Sequence, residues 1–457
     1  MWTDTCHSIR FPTRLTMNST ELTHAFPLTE SNLDDAVEHE TAAAPTVLFV
    51  DQSGQLGGAE FSLLPLATKF RARGEVVLLS EGPFRTRLED AGVHVKMISD
   101  THVSDIDRQA VGLNWLRALP GIVRSMREIA KQARRFDVLF LNTQKAMVLG
   151  ALGKPLHRRP VIWHLHDILT REHFGRVQLT IVKWLVRYAI DHVVANSRAT
   201  ADSLVALTGK PAAEIPVVHN GIDVSEFSQV SVDDMQALRR RLGLPEHAWL
   251  AGLFGRLAPW KGQHIAIAAV ARLPDVHLVL VGADLFGEHA YATGLRQLVQ
   301  QLGIADRVHF AGFRDDMPTW MKAMDVILHT STEPEPFGRV IVEGMAAARP
   351  VIAAAAGGVT EILRHRKNGW LVTPGDVTAF VDAIETLRAA PELAERIASQ
   401  AFADAQRDFS LEGYLAHMTK AITHTNARGS RHRAVAAHAA GNATAATTAG
   451  NPGAQQH

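Results

Sequence analysis

Short apolar runs alternate with longer stretches of helical periodicity along most of the chain. The first half contains the runs Thr46–Val50, Val76–Leu79, Val138–Leu141, Val161–Trp163 and His192–Ala195. The second half contains Trp249–Phe254, Val276–Val281, Val308–Phe310, Val326–Leu328 and Val351–Ala355. Buried strands that alternate with helices at this spacing are typical of βαβ units. The pattern therefore predicts two α/β domains, each a doubly wound parallel sheet.

The polar segment between the two sets of runs divides the chain. Residues 45–223 are predicted to form an N-terminal Rossmann-like domain, 224–245 an interdomain connection, and 246–408 a C-terminal Rossmann-like domain. Residues 1–44 and 425–457 show no apolar periodicity, so we expect a disordered leader and a disordered tail. Ligands of doubly wound sheets bind at the carboxyl ends of the strands, and candidate site residues are expected there.

One loop at such an end carries two glutamates eight positions apart. The sequence from residue 331 to 344 is Ser-Thr-Glu-Pro-Glu-Pro-Phe-Gly-Arg-Val-Ile-Val-Glu-Gly. Its prolines keep the part before Gly338 out of a helix, whereas the part after it has a helical pattern. Glu335 is therefore predicted in the entry loop and Glu343 in an early turn of the helix.

The same junction is a predicted anion site. The backbone N–H groups of Phe337, Gly338 and Arg339 lie where a helix begins, and such groups lack helical acceptors. They can bind a diphosphate, and a glycine at 338 lets the phosphate approach closely.

This stretch resembles the Glu-x7-Glu signature of retaining glycosyltransferases, and its Glu-Pro-Phe-Gly core is close to glycosyltransferase family 4. The resemblance covers roughly residues 46–420 and implies the GT-B fold, with an acceptor domain first, a nucleotide-sugar domain second, and a last helix over 409–424 that crosses back onto the first domain. It also implies that Glu335 faces the hydroxyls of the donor sugar and that Glu343 holds the ribose. If the two glutamates stood alone, the simpler interpretation would be that Glu335 caps the helix and that Glu343 is a solvated helix residue.

A basic loop follows the first strand of the second domain. The sequence Gly-Arg-Leu-Ala-Pro-Trp-Lys-Gly from 255 to 262 places Arg256 and Lys261 at the carboxyl end of that strand. Fixed cations can stabilise a departing diphosphate without a metal, and no metal ligand set is predicted. The family resemblance assigns both residues to the diphosphate, and an exposed basic turn is the alternative.

Three further sets of candidates lie in other loops. Gly57 and Gly58 follow the first strand, where a double glycine allows close backbone approach to a phosphate or acceptor. His164 and His166 lie on one face at the end of a strand. The family has a histidine near the donor sugar in the sequence His-Asp, which fits His166 better; a purely structural histidine is the alternative. Phe313 and Arg314 fall where such enzymes bind the base.

Composition limits the class of protein. The chain has 457 residues, 46% hydrophobic residues and a formal net charge of zero, enough for two domains with their own cores. Its single cysteine, Cys6, cannot form an intramolecular disulfide, so cytoplasmic localisation is the default expectation. No apolar run reaches the length of about 18 residues that a membrane span requires.

The first half is basic, with 23 Lys and Arg against 16 Asp and Glu in residues 45–215. One helical face carries the cations Arg117, Arg124, Arg127, Lys131, Arg134 and Arg135, interleaved with Trp115, Leu116, Ile122 and Ile129. A second carries Arg171, Arg176, Lys183, Trp184 and Arg187. Such faces suit the anionic inner surface of the cytoplasmic membrane, although a solvated face is the alternative. Nucleic acid is not an expected partner.

Together these features predict a retaining, metal-independent glycosyltransferase. The expected donor is a nucleoside-diphosphate sugar, with GDP-mannose as the candidate, and the expected acceptor is a lipid-linked glycan or polysaccharide. No cofactor is expected apart from this co-substrate. The alternatives are a sugar-nucleotide epimerase or a phosphorylase on the same fold, and a catalytically silent nucleotide-sugar-binding partner.

Overall fold

The computed structural model describes residues 44–98, 114–245, 248–284 and 288–448, which contain two parallel sheets of six strands. The strands of the first sheet are β1 (Val47–Asp51), β2 (Gly74–Leu78), β3 (Val95–Met97), β4 (Val138–Leu141), β5 (Val161–Leu165) and β6 (His192–Ala195). Their order is β3-β2-β1-β4-β5-β6, and every pairing is parallel.

The second sheet repeats this arrangement. Its strands are β7 (Trp249–Phe254), β8 (Val276–Val281), β9 (Val308–Gly312), β10 (Val326–His329), β11 (Val351–Ala354) and β12 (Trp370–Val372). They lie in the order β12-β11-β10-β7-β8-β9, again all parallel. The prediction of two doubly wound domains is confirmed.

Helices cover both faces of each sheet. Those of the first half are α1 (Gly58–Lys69), α2 (Pro83–Asp90), α3 (Asn114–Ala133), α4 (Gln144–Leu152), α5 (Lys154–His157), α6 (Arg176–Tyr188) and α7 (Arg198–Thr208). The connecting segment contains α8 (Val224–Ser228) and α9 (Val232–Arg241). The second half contains α10 (Gln263–Ala271), α11 (His289–Gln301), α12 (Met317–Lys322), α13 (Arg339–Ala346), α14 (Val359–Ile362), α15 (Val377–Ala389), α16 (Pro391–Asp408) and α17 (Leu411–Thr448). Two 3-10 turns occur at Ala212–Glu214 and Pro259–Lys261.

The first sheet shows why continuous apolar runs become central strands. Along β1, Leu48 and Val50 pack into one apolar cluster, whereas Val47 and Phe49 pack into another on the opposite face. All four side chains are buried, because helices cover both faces of the sheet.

The edge strands β3 and β12 were not predicted. Each has only three residues, and most of them are only half-buried. A strand at a sheet edge is covered less completely, so a short mixed run such as Val-Lys-Met carries too little apolar signal to be recognised.

The last helix, α17, packs against the first domain. The Tyr414 hydroxyl donates a hydrogen bond to the carbonyl of Ser62 in α1 at 3.0 Å, and Met418 and Ile422 are buried in the same apolar cluster as α1. The helix continues to Thr448, so the predicted disorder of residues 425–448 is wrong. This segment is rich in alanine, which has the highest helix propensity. The predicted leader over 1–43 and the tail end over 449–457 lie outside the described residues.

None of the helices in the described part of the chain is both long and apolar enough to cross a membrane.

Candidate active site

The predicted loops of the second domain meet at one edge of its sheet. Arg256 and Lys261 follow β7, Phe313 follows β9, and Glu335 follows β10. These three strands lie within the parallel run β10-β7-β8-β9, so their carboxyl ends face the same side. The topology therefore brings together residues up to about 80 positions apart in the sequence.

Glu335 is buried and receives three hydrogen bonds on one oxygen. Its Oε2 accepts from Lys261 Nζ at 2.7 Å, from His329 Nε2 at 3.1 Å and from Ser331 Oγ at 3.1 Å. Burial acts to raise the pKa of Glu335, but the Lys261 ammonium and the His329 ring outweigh it and hold that pKa well below its usual range. The group is a fixed carboxylate at neutral pH.

Tight backbone packing holds Lys261 beside the Glu335 loop. Gly262 has a φ of 69°, and a Cβ atom there would lie 2.0 Å from the carbonyl oxygen of Thr330. The Thr330 hydroxyl in turn donates to the Lys261 carbonyl at 2.9 Å. The Lys261 ammonium also lies 4.1 Å from the centroid of the Trp260 ring. Only glycine at 262 allows the two loops to approach this closely.

Arg256 occupies the same loop as Lys261. Its backbone carbonyl accepts a hydrogen bond from Gln263 Nε2 at 2.9 Å, which ties the loop to the start of α10. The loop therefore presents two cations at the carboxyl end of β7, as the sequence predicts.

The predicted anion site at the start of α13 has the expected backbone. Gly338 has a φ of 99°, in the left-handed region that favours glycine, and the helix begins at Arg339. The Phe337 side chain is buried, and its ring stacks on that of His219, with 5.7 Å between the centroids and 28° between the planes. The first-turn N–H groups thus belong to a rigid junction directly after Glu335.

Glu343 is paired with Arg339, one turn earlier on α13. Arg339 Nε donates to Glu343 Oε1 at 2.7 Å, and the guanidinium also lies 5.2 Å from the ring of Phe61 in the first domain. Arg339 Nη1 is buried and has no hydrogen-bond partner among the described residues. Burial raises the pKa of Glu343, and the Arg339 charge opposes this rise.

His166 lies at the carboxyl end of β5 between two asparagines. Its Nε2 donates to Asn142 Oδ1 at 3.1 Å, and its Nδ1 lies 3.4 Å from Asn196 Nδ2. Burial lowers the pKa of His166 to about 3, so the ring is neutral near pH 7. His164 is fully buried, and its ring lies 6.3 Å from that of Tyr414. His166 is therefore the more accessible of the two.

Gly57 and Gly58 form the start of α1. Gly57 is the residue before the helix, with extended backbone, and a Cβ atom on Gly58 would meet no atom within 4 Å. Neither residue has a positive φ, and a Cβ atom on Gly57 would lie 2.8 Å from Glu60 Oε2, so only Gly58 faces open space. Close backbone contact occurs instead at Gly54, where a Cβ atom would lie 2.2 Å from the carbonyl carbon of Glu81.

Phe313 and Arg314 lie at the end of the edge strand β9. Phe313 is 50% exposed, so its ring is accessible for stacking on a ligand. The Arg314 guanidinium lies 5.1 Å from the ring of Trp320 in the same domain. Both residues remain candidates for binding the base.

Sequence reasoning missed several polar residues at the carboxyl ends of the strands. His329 and Ser331 donate hydrogen bonds to Glu335, and the sequence marked them only by position, at the end of the buried strand β10 and at the start of the predicted loop. Asp51, the last residue of β1, accepts a hydrogen bond from Asn142 Nδ2 at 2.6 Å. Burial raises the pKa of Asp51 to about 6, and burial together with the Asp51 charge raises that of Glu60 well above its usual value.

The sequence matches two family descriptions side by side. "Glycosyltransferase Family 4" matches residues 56–226, and "Glycosyl transferases group 1" matches residues 234–404. The D-inositol 3-phosphate glycosyltransferase of Mycobacterium tuberculosis is 34% identical over 400 residues, which cover 83% of this chain and 82% of that protein. The protein of the same name from Thermomonospora curvata is 27% identical over 375 residues, covering 76% and 86% of the two chains.

A solved structure agrees with these matches. Anabaena HepE in complex with UDP-glucose superposes with a TM-score of 0.76 and 38% identity, covering 83% of this chain and 99% of HepE. This chain therefore belongs to glycosyltransferase family 4, has the GT-B fold, and is a glycosyltransferase with a nucleotide-sugar donor.

Proposed function

We propose that this enzyme is a retaining, metal-independent hexosyltransferase that acts on a lipid-linked glycan or a growing polysaccharide. The observation that carries the proposal is the 2.7 Å pair of Lys261 and Glu335 beside the start of α13. Lys261, Arg256 and the first N–H groups of α13 would surround the diphosphate, where negative charge develops during transfer. This arrangement supplies the charge stabilisation for which other enzymes use a divalent cation.

The contacts of Glu335 favour transfer without a covalent intermediate. An oxygen that already accepts three hydrogen bonds, from a carboxylate with a depressed pKa, is a weak nucleophile. In the proposed step the acceptor hydroxyl attacks the anomeric carbon, the bond from that carbon to the phosphate oxygen breaks, and the phosphate takes the hydroxyl proton. Glu335 and the neutral His166 would orient the donor sugar through its hydroxyls.

The remaining predicted residues receive roles in donor binding. Glu343 would bind the ribose diol, and the N–H groups of Phe337, Gly338 and Arg339 the diphosphate. Phe313 and Arg314 would contact the base. Gly57 and Gly58 would leave room for the donor or acceptor on the first domain.

UDP-glucose is the first donor to test, because the HepE structure contains it. GDP-mannose, the candidate from the sequence, is the competing donor. D-inositol 3-phosphate is a soluble acceptor to set against lipid-linked glycans, because curated relatives are named for it.

Helix α6 supports an acceptor at a membrane surface. Val177, Ile181, Trp184 and Tyr188 are all exposed, with Trp184 at 54% and Tyr188 at 63%. Their spacing of four, three and four residues places them on one face of the helix. Leu179, Val182, Leu185 and Val186 bury the opposite face in the domain core. A helix with one apolar face in the core and a second in solvent has an unpartnered surface.

Cations border the exposed stripe of α6. Arg176, Lys183 and Arg187 are exposed and lie together on one side of it, at helical positions between the stripe and the buried face. Apolar insertion combined with adjacent positive charge suits an anionic lipid surface.

The other predicted basic face, on α3, is less suited to membrane insertion. Arg124, Arg127 and Lys131 are exposed, but Ile129 is fully buried in the core and cannot contact lipid. The side chains of residues 115–117 lie outside the described part of the structure. We therefore assign the apolar contact to α6 and only a supporting electrostatic role to α3.

A donor panel tests the reaction. Purified enzyme with UDP-glucose or GDP-mannose should release the nucleoside diphosphate in the presence of acceptor, and NMR of the product should show the anomeric configuration of the donor retained. Release should be unchanged in excess EDTA. An inverted product would exclude the retaining mechanism, epimerised donor without transfer would indicate an epimerase, and donor binding without transfer or hydrolysis would indicate a silent binding protein.

Flotation with vesicles containing anionic lipid tests the membrane surface. The double variant Val177→Ser/Trp184→Ser should bind such vesicles about tenfold more weakly, because two apolar side chains no longer insert. The matched control, Val232→Ser/Leu302→Ser, removes two exposed apolar residues of the second half and should bind normally. Equal binding of both double variants would leave α6 without a membrane role.

A further inference from the structure

Glu361 in α14 joins the two domains of the enzyme. Its Oε2 accepts the backbone N–H of Arg198 at 2.8 Å, and its Oε1 accepts that of Ala199 at 2.9 Å. The Nε2–H of His219 donates to Oε2 at 3.2 Å. All three donors belong to the first domain, whereas Glu361 lies between β11 and β12 of the second. One side chain thus makes three hydrogen bonds from the second domain to the first.

These bonds satisfy helix N–H groups that the first domain leaves without a local acceptor. Arg198 and Ala199 are the first two residues of α7, an 11-residue helix. Ser197 already caps the third, because its Oγ accepts the N–H of Thr200 at 3.0 Å. A carboxylate at this point is favoured both by the free N–H groups and by the helix dipole.

The pKa of Glu361 reflects these contacts. Burial alone would raise it, but the hydrogen bonds from His219, Arg198 and Ala199 lower the pKa below its usual value. The carboxylate is therefore ionised throughout the neutral range, and its attraction for the helix start is constant there.

At its other end, α14 is anchored to the loop of Glu335. The N–H of Gly358 donates to the carbonyl of Glu335 at 2.8 Å. Gly357 packs so closely that a Cβ atom on it would lie 2.2 Å from the same carbonyl oxygen. The start of α7 is therefore connected to the backbone of Glu335 through Glu361 and α14, by hydrogen bonds and close backbone contacts.

A second connection runs through His219. Its ring donates to Glu361 and also stacks on Phe337, two residues after Glu335, with 28° between the ring planes. The first domain therefore contacts the Glu335 loop from two directions through the same histidine and glutamate.

We propose that Glu361 is a positioning residue that fixes the first domain relative to Glu335, so that the acceptor bound to the first domain meets the donor sugar in reactive geometry. Glu361 itself touches neither substrate. This role rests on the proposed function of Glu335 at the donor sugar, and it predicts a loss in the rate of transfer with nucleotide binding preserved.

Two variants remove the contact from opposite sides. Glu361→Ala removes the acceptor from the second domain. Arg198→Pro removes one donor from the first: proline is tolerated at the first position of a helix, and Ser197 before it already has extended backbone. The matched control is Arg198→Ala, which deletes the same exposed side chain but keeps the N–H.

We expect Glu361→Ala and Arg198→Pro to lower kcat about 10- to 100-fold, the range for a reactant misplaced by about 1 Å. Their affinity for the nucleoside diphosphate in calorimetry should stay within about twofold of wild type, since that site lies within the second domain. Arg198→Ala should behave as wild type. The double variant Glu361→Ala/Arg198→Pro should be no slower than Glu361→Ala alone, because both changes break the same contact.

Small-angle scattering without substrate gives a measurement independent of turnover. Glu361→Ala should show a larger radius of gyration than wild type, and Arg198→Ala should not. Normal kcat and normal scattering in a folded Glu361→Ala protein would overturn the proposal. The proposal would also be overturned if the losses of kcat in the two single variants added up in the double variant. A loss of nucleotide affinity as large as the loss of kcat would overturn it as well. A wild-type enzyme that transfers no sugar would instead contradict the proposed function and leave the scattering result to decide the role of Glu361.

Discussion

The Nζ atom of Lys261 lies 2.7 Å from Oε2 of Glu335, and both side chains are largely buried. The two residues are 74 positions apart and follow different strands. A buried pair of this kind has lost most of its hydration, so removing one partner leaves the other charge uncompensated. In the proposed function, the pair would link the charge at the diphosphate to the orientation of the carboxylate at the sugar.

Lys261→Ala should lower kcat about 100- to 1,000-fold, by analogy with the loss of one preorganised charge-stabilising donor. The pKa of Glu335 should rise, because burial is then opposed only by His329 and Ser331, and the rate should fall on acidification at a higher pH than in wild type. The check is kcat against pH for wild type, Lys261→Ala and the charge-preserving Lys261→Arg. A Lys261→Ala enzyme of normal rate would remove Lys261 from the mechanism.

Glu343→Ala should weaken binding of the nucleoside diphosphate by about 1.5 to 3 kcal/mol, the range for hydrogen bonds to a charged group. The variant should remain folded, although Arg339 loses its partner. Calorimetry with UDP and GDP measures the effect. Glu395→Ala, on the exposed face of α16, is the control and should bind normally. Wild-type affinity in Glu343→Ala would contradict the ribose assignment.

Arg339→Met separates two roles of the arginine. If Arg339 only neutralises Glu343, the variant should lose stability and bind nucleotide weakly, and the double variant with Glu343→Ala should bind no worse than Glu343→Ala alone. If Arg339 also contacts the diphosphate through its unpartnered Nη1, the double variant should bind more weakly than either single one. A double-mutant cycle of nucleotide affinities distinguishes the two outcomes.

Gly357→Ala should impair transfer far more than Gly375→Ala. Both glycines have left-handed backbone, with φ of 64° and 78°, so each substitution costs about 1 kcal/mol of strain. Only at Gly357 would the new Cβ collide with a backbone atom, the Glu335 carbonyl oxygen 2.2 Å away, whereas Gly375 has no atom within 4 Å. Similar kcat values for the two folded variants would show that displacing the Glu335 backbone does not matter.

His157 should make the protein sensitive to acid. Its Nε2–H donates to the Gly150 carbonyl at 3.1 Å, its Nδ1 accepts the N–H of Arg159 at 3.0 Å, and burial lowers its pKa to about 4. Between pH 6.5 and 4 the unfolded chain binds a proton that the folded chain excludes, so acidification destabilises the fold. From pH 7.5 to 5 the loss from this residue is about 2 kcal/mol.

Urea unfolding of His157→Gln at both pH values checks this prediction. The free energy of unfolding should change less with pH in the variant than in wild type, whatever the absolute stability of the variant. An identical pH dependence in wild type and His157→Gln would show that His157 titrates normally in the folded state.

The central strands were predictable because parallel sheets covered on both faces require continuous apolar runs. Phe49 and Phe140, in β1 and β4, are buried as their runs indicate. The edge strands β3 and β12 lack that signal. The helix beyond residue 424 was missed for a related reason: its alanines favour a helix by intrinsic propensity, but they form no apolar stripe that the sequence analysis could recognise.

In the candidate site, too, some residues could be recognised from the sequence and others could not. Glu335, Glu343, Arg256 and Lys261 were recognisable because each belongs to a local motif at the end of a strand. The residues that pair with them and set their chemistry were not recognisable from the sequence. That Lys261 shares one oxygen of Glu335 with His329 depends on loops brought together by the sheet, whereas Arg339 reaches Glu343 from one turn earlier on the same helix.

By itself the sequence determined the two doubly wound domains and the loops that form the candidate site, because periodicity and turn residues are local properties. The tertiary structure alone decided which charges are paired, which apolar face of α6 remains in solvent, and that Glu361 binds the start of α7 in the other domain. Burial and hydrogen bonding between segments more than 100 positions apart depend on how the chain packs, and no local pattern encodes them.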